Sequence, residues 1–238
     1  MSNISIIIQV YNEENNIDIL FDFVRQLSSE KPIINELILV ENGSTDDTRE
    51  QIKKLSSRTK GLNLSVIYVQ DNQGYGGGVK IGVQKSKNDN VMILPADGKY
   101  SIYDVIKIVI VYENSSDVNL MIKGKRHLRN DPLTVQTLSF MLTFLCQLLF
   151  RTRVKDINGL PKIFNKKIVG KNLLNLSTNS CFDATLCDIW QKSGGKFLEV
   201  NVSFTQNKKA SWKGMRAKVS IAMVFTLFKY KFIGRRGV

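Results

Sequence analysis

Short apolar runs alternate with segments of helical spacing along the first half of the chain. After the first run, apolar residues recur at the interval that one face of an α-helix requires, from Ile17 to Leu27. Apolar runs that end in polar turns are typical of buried strands. The predicted strands are Ile4–Val10, Leu37–Val40, Leu64–Val69, Val91–Leu94 and Asn119–Lys123. This alternation predicts an α/β fold with a Rossmann-like, mostly parallel sheet and flanking helices.

Two tetrapeptides have the residue spacing of a helix capping box. Ser44–Asp47 predicts a helix that continues through Leu55, and Ser101–Asp104 predicts an apolar helix to about Tyr112. A further helix is expected over Val79–Ser86, after a glycine-rich segment. Each helix would connect two of the predicted strands.

The second half contains an uncharged stretch, Leu133–Phe150, which is 18 residues long. It is slightly short for a transmembrane helix, which needs about 20 apolar residues. A buried helix, a helix in the membrane interface and a helical pair broken midway all fit this pattern. Its polar residues fall on one helical stripe, formed by Gln136, Ser139, Thr143 and Gln147.

Two further strands, a helix and an apolar tail are predicted in the C-terminal part of the chain. Strands are expected at Leu160–Phe164 and Lys196–Phe204, and a helix is expected from Phe182 to Trp190. The apolar tail Val219–Phe232 is followed or interrupted by lysines and arginines. Such a tail lies on anionic lipid in many proteins. Its alternative is a C-terminal helix docked on the core.

Composition narrows the class of partner. The chain has 238 residues, 43% of them hydrophobic, and a net charge of +13. The charge suggests nucleotide phosphates, nucleic acid or a membrane surface, but no recognition motif supports nucleic acid. Three cysteines without a CxxC pair fit a reduced cytoplasmic setting better than a zinc site. We expect a cytoplasmic protein at the inner face of the membrane, without a cleaved signal.

Polar clusters follow four predicted strands: 11–14, 41–44, 71–78 and 95–99. Carboxyl ends of parallel strands meet at one sheet edge, so the clusters predict a nucleotide pocket. Tyr11 would stack on a base, Glu41 would accept hydrogen bonds, and the glycines would let backbone N–H groups approach phosphates. The glycine spacing matches neither GxGxxG nor a P-loop, which disfavours a dehydrogenase or an NTPase.

These clusters resemble the motifs of inverting family 2 glycosyltransferases of the GT-A fold. The resemblance covers residues 4–211 approximately, and its later motifs are most similar to the polyprenyl-phosphate sugar transferase branch. The segments that carry it are Gln9–Glu13, Val40–Thr48, Asn72–Gly76, Pro95–Asp97, Gly124–Arg126, Asp156 and Phe182–Leu186.

The resemblance implies a role for each matching residue. A nucleotide-sugar would be the donor substrate, and Asp97 would hold a divalent cation, Mg²⁺ or Mn²⁺, across its diphosphate. Arg126 would face the diphosphate or the acceptor phosphate. Asp183 would be a catalytic base for a hydroxyl acceptor, or else a helix N-cap. The remaining predicted donor-binding residues are Tyr11, Glu13, Glu41, Asn42, Gly76, Lys80, Ala96 and Lys99.

The sequence departs from the family pattern at several positions. Pro95 replaces the first Asp of the DxD motif, and Lys99 stands where this branch commonly has a Gln. Two interpretations remain: Asp97 alone holds a weakly bound metal, or Lys99 supplies the positive charge instead. Asn42 replaces an Asp. The last family motif appears as Gln206–Ser211, of which Ser211 matches.

We therefore predict transfer of a sugar from a nucleotide-sugar to a polyprenyl phosphate or another membrane-linked acceptor. The alternatives are a saccharide acceptor in surface-polysaccharide synthesis and a non-catalytic relative that binds nucleotide-sugars. The predicted domain is 1–215, with a nucleotide-sugar half (1–123) and an acceptor half (124–215). Residues 216–238 would form an amphipathic basic tail.

Overall fold

Seven strands form one mixed sheet in the computed structural model, which describes residues 3–56, 63–129, 132–204 and 217–232. The strand order is β3-β2-β1-β4-β6-β5-β7. The strands are β1 (Ile4–Val10), β2 (Ile34–Asn42), β3 (Leu64–Val69), β4 (Asn90–Ile93), β5 (Leu120–Arg129), β6 (Lys162–Asn165) and β7 (Lys196–Phe204). The α/β class predicted from the alternating pattern is confirmed.

Helices connect the strands and flank the sheet. They are α1 (Ile17–Glu30), α2 (Thr48–Ser56), α3 (Gly74–Lys85), α4 (Ile102–Glu113), α5 (Leu133–Phe150), α6 (Lys166–Val169), α7 (Phe182–Lys192) and α8 (Ala217–Phe232). A 3₁₀ helix, Gly170–Asn175, follows α6. Strands β1, β2 and β4 are buried on both faces, which explains why they are continuous apolar runs rather than alternating ones.

One strand of the sheet runs against the others. β1 pairs in parallel with β2 and β4, β2 with β3, and β5 with β7. β6 is antiparallel to both of its neighbours, β4 and β5. Among the described strands, six therefore point their carboxyl ends to the same edge, and β6 begins there. This arrangement places the polar turns after the strands together.

Helix α3 packs closely on the sheet because it is rich in glycine. A Cβ atom built on Gly82 would lie 2.3 Å from Ile7 Cγ2, and one on Gly78 would lie 2.4 Å from Gln9 Cγ. Side chains at these positions would force the helix away from β1. Gly76 to Gly78 are helical residues, so α3 begins at Gly74 rather than at the predicted Val79.

Two capping predictions have different outcomes. Ser101 accepts a hydrogen bond from the backbone N–H of Asp104, so the predicted cap of α4 is confirmed. The helix predicted from Ser44 begins instead at Thr48. Ser44 Oγ accepts from the N–H of Asn12 in a neighbouring loop, and this tertiary contact replaces the local cap.

The predicted uncharged helix has the bounds of α5, Leu133–Phe150, and a third of it is buried. Among the described helices, it alone is long and apolar enough to cross a membrane. α8 packs beside it, and Met223, Leu227 and Tyr230 belong to a buried cluster with residues of α5 and α7. The predicted boundary at 215/216 lies outside the described residues, so the domain division stays a prediction.

Candidate active site

The polar clusters that follow β1, β2, β3 and β4 lie along one edge of the sheet. The parallel pairing of these strands brings residues 11–14, 41–44, 71–73 and 95–99 to this edge. Ligands of open α/β sheets bind at the carboxyl ends of the strands. The structure thus brings together the four clusters that the sequence predicts as a nucleotide pocket.

The loops after β1 and β2 are joined by hydrogen bonds. The backbone N–H of Asn12 donates to Ser44 Oγ (3.0 Å), and that of Glu13 donates to Thr48 Oγ1 (2.8 Å). Tyr11, half-buried, begins the first loop. These contacts place Tyr11 and Glu13 beside the end of β2, and their nucleoside-binding roles stay predictions.

Glu41 is fully buried at the end of β2, where both of its carboxylate oxygens accept hydrogen bonds. Oε1 accepts from the Ser44 N–H (2.6 Å), and Oε2 accepts from Arg49 Nε (2.5 Å). Arg49 also donates to the Val69 carbonyl at the end of β3. Glu41 therefore links the ends of two strands in this structure. The predicted hydrogen bonds from a nucleotide would add to this structural role.

Asn42, also fully buried, uses both ends of its side-chain amide. Its Nδ2 donates to the Gly74 carbonyl (3.0 Å) and to Asn72 Oδ1 (3.1 Å), and its Oδ1 accepts from the Gln73 N–H (3.2 Å). A carboxylate could not donate these bonds. The replacement of the family Asp by Asn42 therefore fits the turn that begins α3.

The start of α3 contacts the segment before α7. The N–H of Gly77 donates to the Thr178 carbonyl (2.9 Å), and a Cβ on Gly76 would lie 2.2 Å from the Ser177 carbonyl oxygen. The sequence predicts that N–H groups here approach phosphates. At Gly77 the protein's own carbonyl takes that place, and the glycines permit the close approach of two protein segments.

Lys80 reinforces the same contact. Its Nζ donates to the Leu176 carbonyl (2.9 Å), and burial lowers the pKa of Lys80 from its usual value. The predicted donor-site residues Gly76 and Lys80 therefore join the start of α3 to the segment that precedes α7. Their direct contact with a donor stays a prediction.

Asp97 and Lys99 form an ion pair in the turn after β4. Asp97 Oδ2 lies 2.8 Å from Lys99 Nζ, and the Lys99 N–H donates to Asp97 Oδ1 (3.3 Å). Gly98 between them has φ +65°, which lets the turn fold both side chains together. Ala96 is buried beneath this turn.

The donor set around Asp97 does not fit a divalent cation. Pro95 has no side-chain ligand atom, and both oxygens of Asp97 already accept from Lys99. Within the part of the chain that the structure describes, no three His, Cys, Asp or Glu residues are grouped to hold a metal. The assignment of Asp97 as a metal ligand stays a prediction that the geometry does not support.

Arg126 and Asp156 form a buried, two-pronged ion pair near the end of β5. Arg126 donates from Nε (2.8 Å), from Nη2 (2.7 Å) and from its backbone N–H (3.0 Å) to the Asp156 carboxylate. Nη2 also donates to Ser139 Oγ on α5 (3.0 Å). Burial opposes ionisation, but the hydrogen bonds and charge of Arg126 hold the pKa of Asp156 well below its usual range.

Asp183 forms a buried ion pair with Lys162, at the start of β6. Lys162 lies in register with Ile93 of β4 and with a second buried lysine, Lys123 of β5. Burial and the charge of Lys162 lower the pKa of Lys123. Cys181 is the N-cap of α7, so the interpretation of Asp183 as the N-cap is wrong. Lys162 was missed, although a lysine inside a short apolar strand was its signal.

Tyr75 is a further polar residue that the sequence analysis missed. Its ring meets Phe182 edge-on, with 5.9 Å between the ring centres. Its hydroxyl is buried without a hydrogen-bond partner among the described residues. Burial, with smaller effects of the Asp183 and Asp97 charges, raises the pKa of Tyr75.

The fold and this sheet edge define the class as a GT-A-type glycosyltransferase. A family model described as Glycosyl transferase family 2 matches residues 5–173. The chain belongs to this family.

Relatives and solved structures agree with this class. A dolichyl-phosphate beta-glucosyltransferase of Drosophila melanogaster is 27% identical over 85% of this chain and 67% of its own length. A UDP-N-acetylglucosamine–dolichyl-phosphate N-acetylglucosaminyltransferase of Methanococcus voltae is 25% identical over 96% of both chains. Glucosyl-3-phosphoglycerate synthase of Mycobacterium tuberculosis, solved with Mn²⁺ and UDP, has TM-score 0.69 at 17% identity, covering 95% of this chain and 80% of that one.

The sequence predictions on the last family motif lie outside the described residues. This applies to Gln206–Ser211, which falls within residues 205–216.

Proposed function

We propose that this chain transfers a sugar from a nucleotide-sugar to a polyprenyl phosphate at the membrane surface. Two relatives carry dolichyl phosphate in their names, and this supports a polyprenyl phosphate as the acceptor. The observation that carries the proposal is the orientation of α5. This helix turns its polar stripe towards the protein, and five of its large apolar residues are exposed on the other side: Leu133, Phe140, Met141, Phe144 and Leu148.

The inward face of α5 is hydrogen-bonded to β5 and to the segment that follows the helix. Ser139 accepts from Arg126, Thr143 Oγ1 accepts from the Ile157 N–H (3.4 Å), and Gln147 Nε2 donates to the Val154 carbonyl (2.9 Å). A helix of a protein surrounded by water has the opposite arrangement. Three side chains of the polar stripe are therefore hydrogen-bonded within the protein, and the opposite, apolar face of the helix needs an apolar environment.

The outward face of α5 forms a continuous apolar surface with α8. Phe140 on α5 is 72% exposed, and Phe225 on α8 is 71% exposed. A groove of about 340 Å³ runs between the two helices. The other exposed large apolar residues of the two helices are Leu133, Met141, Phe144, Leu148, Val224, Phe228 and Phe232. Exposed apolar patches of this kind mark membrane or protein contacts.

Basic residues lie at one end of this apolar surface. Arg151 and Arg153 follow α5 directly and are exposed, and Lys231 Nζ lies 5.9 Å from the ring centre of Phe150. Lys229 is also exposed. An apolar face with a basic end is complementary to a bilayer of anionic lipids. This complementarity supports a peripheral position at the inner face of the cytoplasmic membrane, with the prenyl chain of the acceptor in the same lipid layer.

A phosphate acceptor fits the chemistry of the acceptor half. An oxygen of the acceptor phosphate would attack C1 of the sugar, forming one C–O bond while the C1–O bond to the nucleoside diphosphate breaks. The electron pair goes to the leaving diphosphate, and inversion follows from attack at the opposite side. A phosphate anion needs no general base, so Asp183 can remain paired with Lys162.

The remaining predicted site residues would act around this transfer. Tyr11, Glu13 and Glu41 would hold the nucleoside, and Asn42, Gly76, Lys80 and Ala96 would shape the donor pocket. Asp97 and Lys99 would face the diphosphate, and Arg126 would face a phosphate at the border of the acceptor half. Solved structures of glucosyl-3-phosphoglycerate synthase hold Mn²⁺ or Mg²⁺ together with UDP, and the Asp97–Lys99 pair argues for a different cation here.

Transfer measured with purified protein tests the proposal. Labelled UDP-, GDP-, CDP- and dTDP-sugars are incubated with vesicles that contain a polyprenyl phosphate, and label is extracted with the lipid. We expect label in the lipid with at least one donor. Transfer to a saccharide instead would support the alternative acceptor, and no transfer or hydrolysis with any donor would contradict the enzyme proposal.

A further inference from the structure

The Asp97–Lys99 ion pair lies where the donor diphosphate is expected. β4 is adjacent to β1 in the sheet, and the turn 95–99 follows its carboxyl end. The side chains of Lys99 and Asp97 are 18% and 26% exposed. The pair therefore reaches the protein surface at the sheet edge, while most of each side chain is packed against other residues. The pair is therefore accessible to a ligand and held in place.

The turn itself builds this pair from three consecutive residues. The Lys99 N–H donates to Asp97 Oδ1, which is the pattern of an Asx turn, and Gly98 supplies the positive φ. The ammonium then reaches Asp97 Oδ2 at 2.8 Å. Because this geometry is local, it does not depend on a bound donor. The positive charge is positioned before the substrate arrives.

A divalent cation at Asp97 would have to displace this ammonium. It would then lie beside a like charge, and the turn offers no second carboxylate, because Pro95 stands at the other motif position. Mg²⁺ prefers sites with one or two carboxylates, phosphates and water, with no cation competing for the same oxygens. The residues of this turn therefore favour the ammonium of Lys99 over a bound metal ion as the source of positive charge.

We propose that Lys99, oriented by Asp97, replaces the divalent cation and stabilises the leaving nucleoside diphosphate. This inference rests on the proposed function and specifies how its donor site works. An ammonium has three N–H donors, so Lys99 can donate to Asp97 and to a bound diphosphate at the same time. A further N–H donates to a diphosphate oxygen, and this charge-assisted hydrogen bond strengthens as the C1–O bond breaks and negative charge grows. No proton has to move.

Binding of nucleoside diphosphates, measured by calorimetry without any acceptor, tests the inference. UDP, GDP, CDP and dTDP are titrated into the full chain in EDTA and again in Mn²⁺. We expect one of them to bind with a Kd that changes by less than about twofold between the two conditions. Lys99→Gln should weaken binding in EDTA by about 10- to 100-fold, the loss expected for a charged hydrogen bond.

Two variants separate the role of Lys99 from simpler effects. Lys85→Gln removes an exposed lysine from the far end of α3 and should bind as the wild type does. Asp97→Asn keeps an oxygen acceptor for Lys99 but removes the only carboxylate in the turn. It should retain at least a tenth of the affinity in EDTA, roughly, if Lys99 is the cation.

Three results would overturn the inference. Wild-type binding that disappears in EDTA and returns with Mn²⁺ would show that a metal is required. Equal affinities of Lys99→Gln and wild type would show that Lys99 does not contact the diphosphate. No binding of any nucleoside diphosphate would show that this sheet edge is not a nucleotide site. Failure of sugar transfer to polyprenyl phosphate alone would contradict only the proposed function, since the binding comparison needs no acceptor.

Discussion

Lys162 of β6 donates to the carboxylate of Asp183 on α7, and both side chains are buried. The pair joins a strand of the central sheet to the helix that the family motif marks as catalytic. Removing one partner of a buried pair leaves the other charge without compensation. This relationship assigns Asp183 a structural role and makes its catalytic role a separate question that can be measured.

We expect Asp183→Asn and Lys162→Met each to lower the free energy of unfolding by about 3–5 kcal/mol. Urea unfolding followed by circular dichroism measures the change. The control is Asp22→Asn, because Asp22 pairs with Arg25 on the exposed face of α1 and should matter by less than about 0.5 kcal/mol. If Asp183→Asn leaves stability unchanged but abolishes transfer, Asp183 acts as a base and the structural interpretation is wrong.

Asp156 should make stability depend on pH in the acid range. Because its pKa is lowered in the folded state, its contribution is complete above the unfolded value of about 3.9 and is lost as pH falls towards the folded value. Asp156→Asn should therefore destabilise the protein at pH 7, and the difference from wild type should shrink between about pH 5 and pH 2. Urea unfolding at a series of pH values measures this, and a difference independent of pH would contradict it.

Asn42→Asp restores the residue that the family has at this position, yet we expect it to destabilise this chain. The carboxylate would face the Gly74 carbonyl, to which Asn42 now donates at 3.0 Å. A buried carbonyl without its donor costs about 1–3 kcal/mol. Thermal unfolding measures the loss, with Asn63→Asp, an exposed donor to a carbonyl, as the milder control. A melting temperature unchanged by Asn42→Asp would show that the turn rearranges freely.

Phe140→Ser and Phe225→Ser should reduce binding to anionic vesicles while leaving the fold intact. Both side chains are exposed, so the free energy of unfolding should change by no more than about 0.5 kcal/mol. Co-flotation with vesicles of phosphatidylcholine and phosphatidylglycerol measures the binding. Tyr103→Ser is the matched control, because Tyr103 is 78% exposed on α4, outside the apolar surface. Equal flotation of all three variants would contradict membrane docking through α5 and α8.

Local pattern determined most of the elements. The bounds of β1, β3 and α5 follow from apolar runs whose ends are set by polar or turn-forming residues, and those of β7 follow from its alternating pattern. The Ser101 cap is likewise a contact between residues three apart. Such features are decided by neighbours in sequence, so they can be predicted without knowing the fold.

The partners of the site residues could not be predicted in this way. Glu41 with Arg49, Arg126 with Asp156, and Lys162 with Asp183 are pairs that form when strands and loops meet. Buried charges must find compensation wherever the fold offers it, and sequence spacing does not indicate the choice. The same applies to Ser44, whose hydroxyl serves the loop after β1 rather than its own helix.

The sequence by itself therefore determined the α/β class, the family motifs and the position of Asp97 at a strand end. The tertiary structure decided which charges are already neutralised and which face of α5 points outwards. The physical reason is that motifs specify residue types along the chain, whereas electrostatic compensation and burial depend on what packs against each side chain. The ion-pair partner of Asp97 is Lys99, only two residues away, and the positive φ of Gly98 brings the two side chains together.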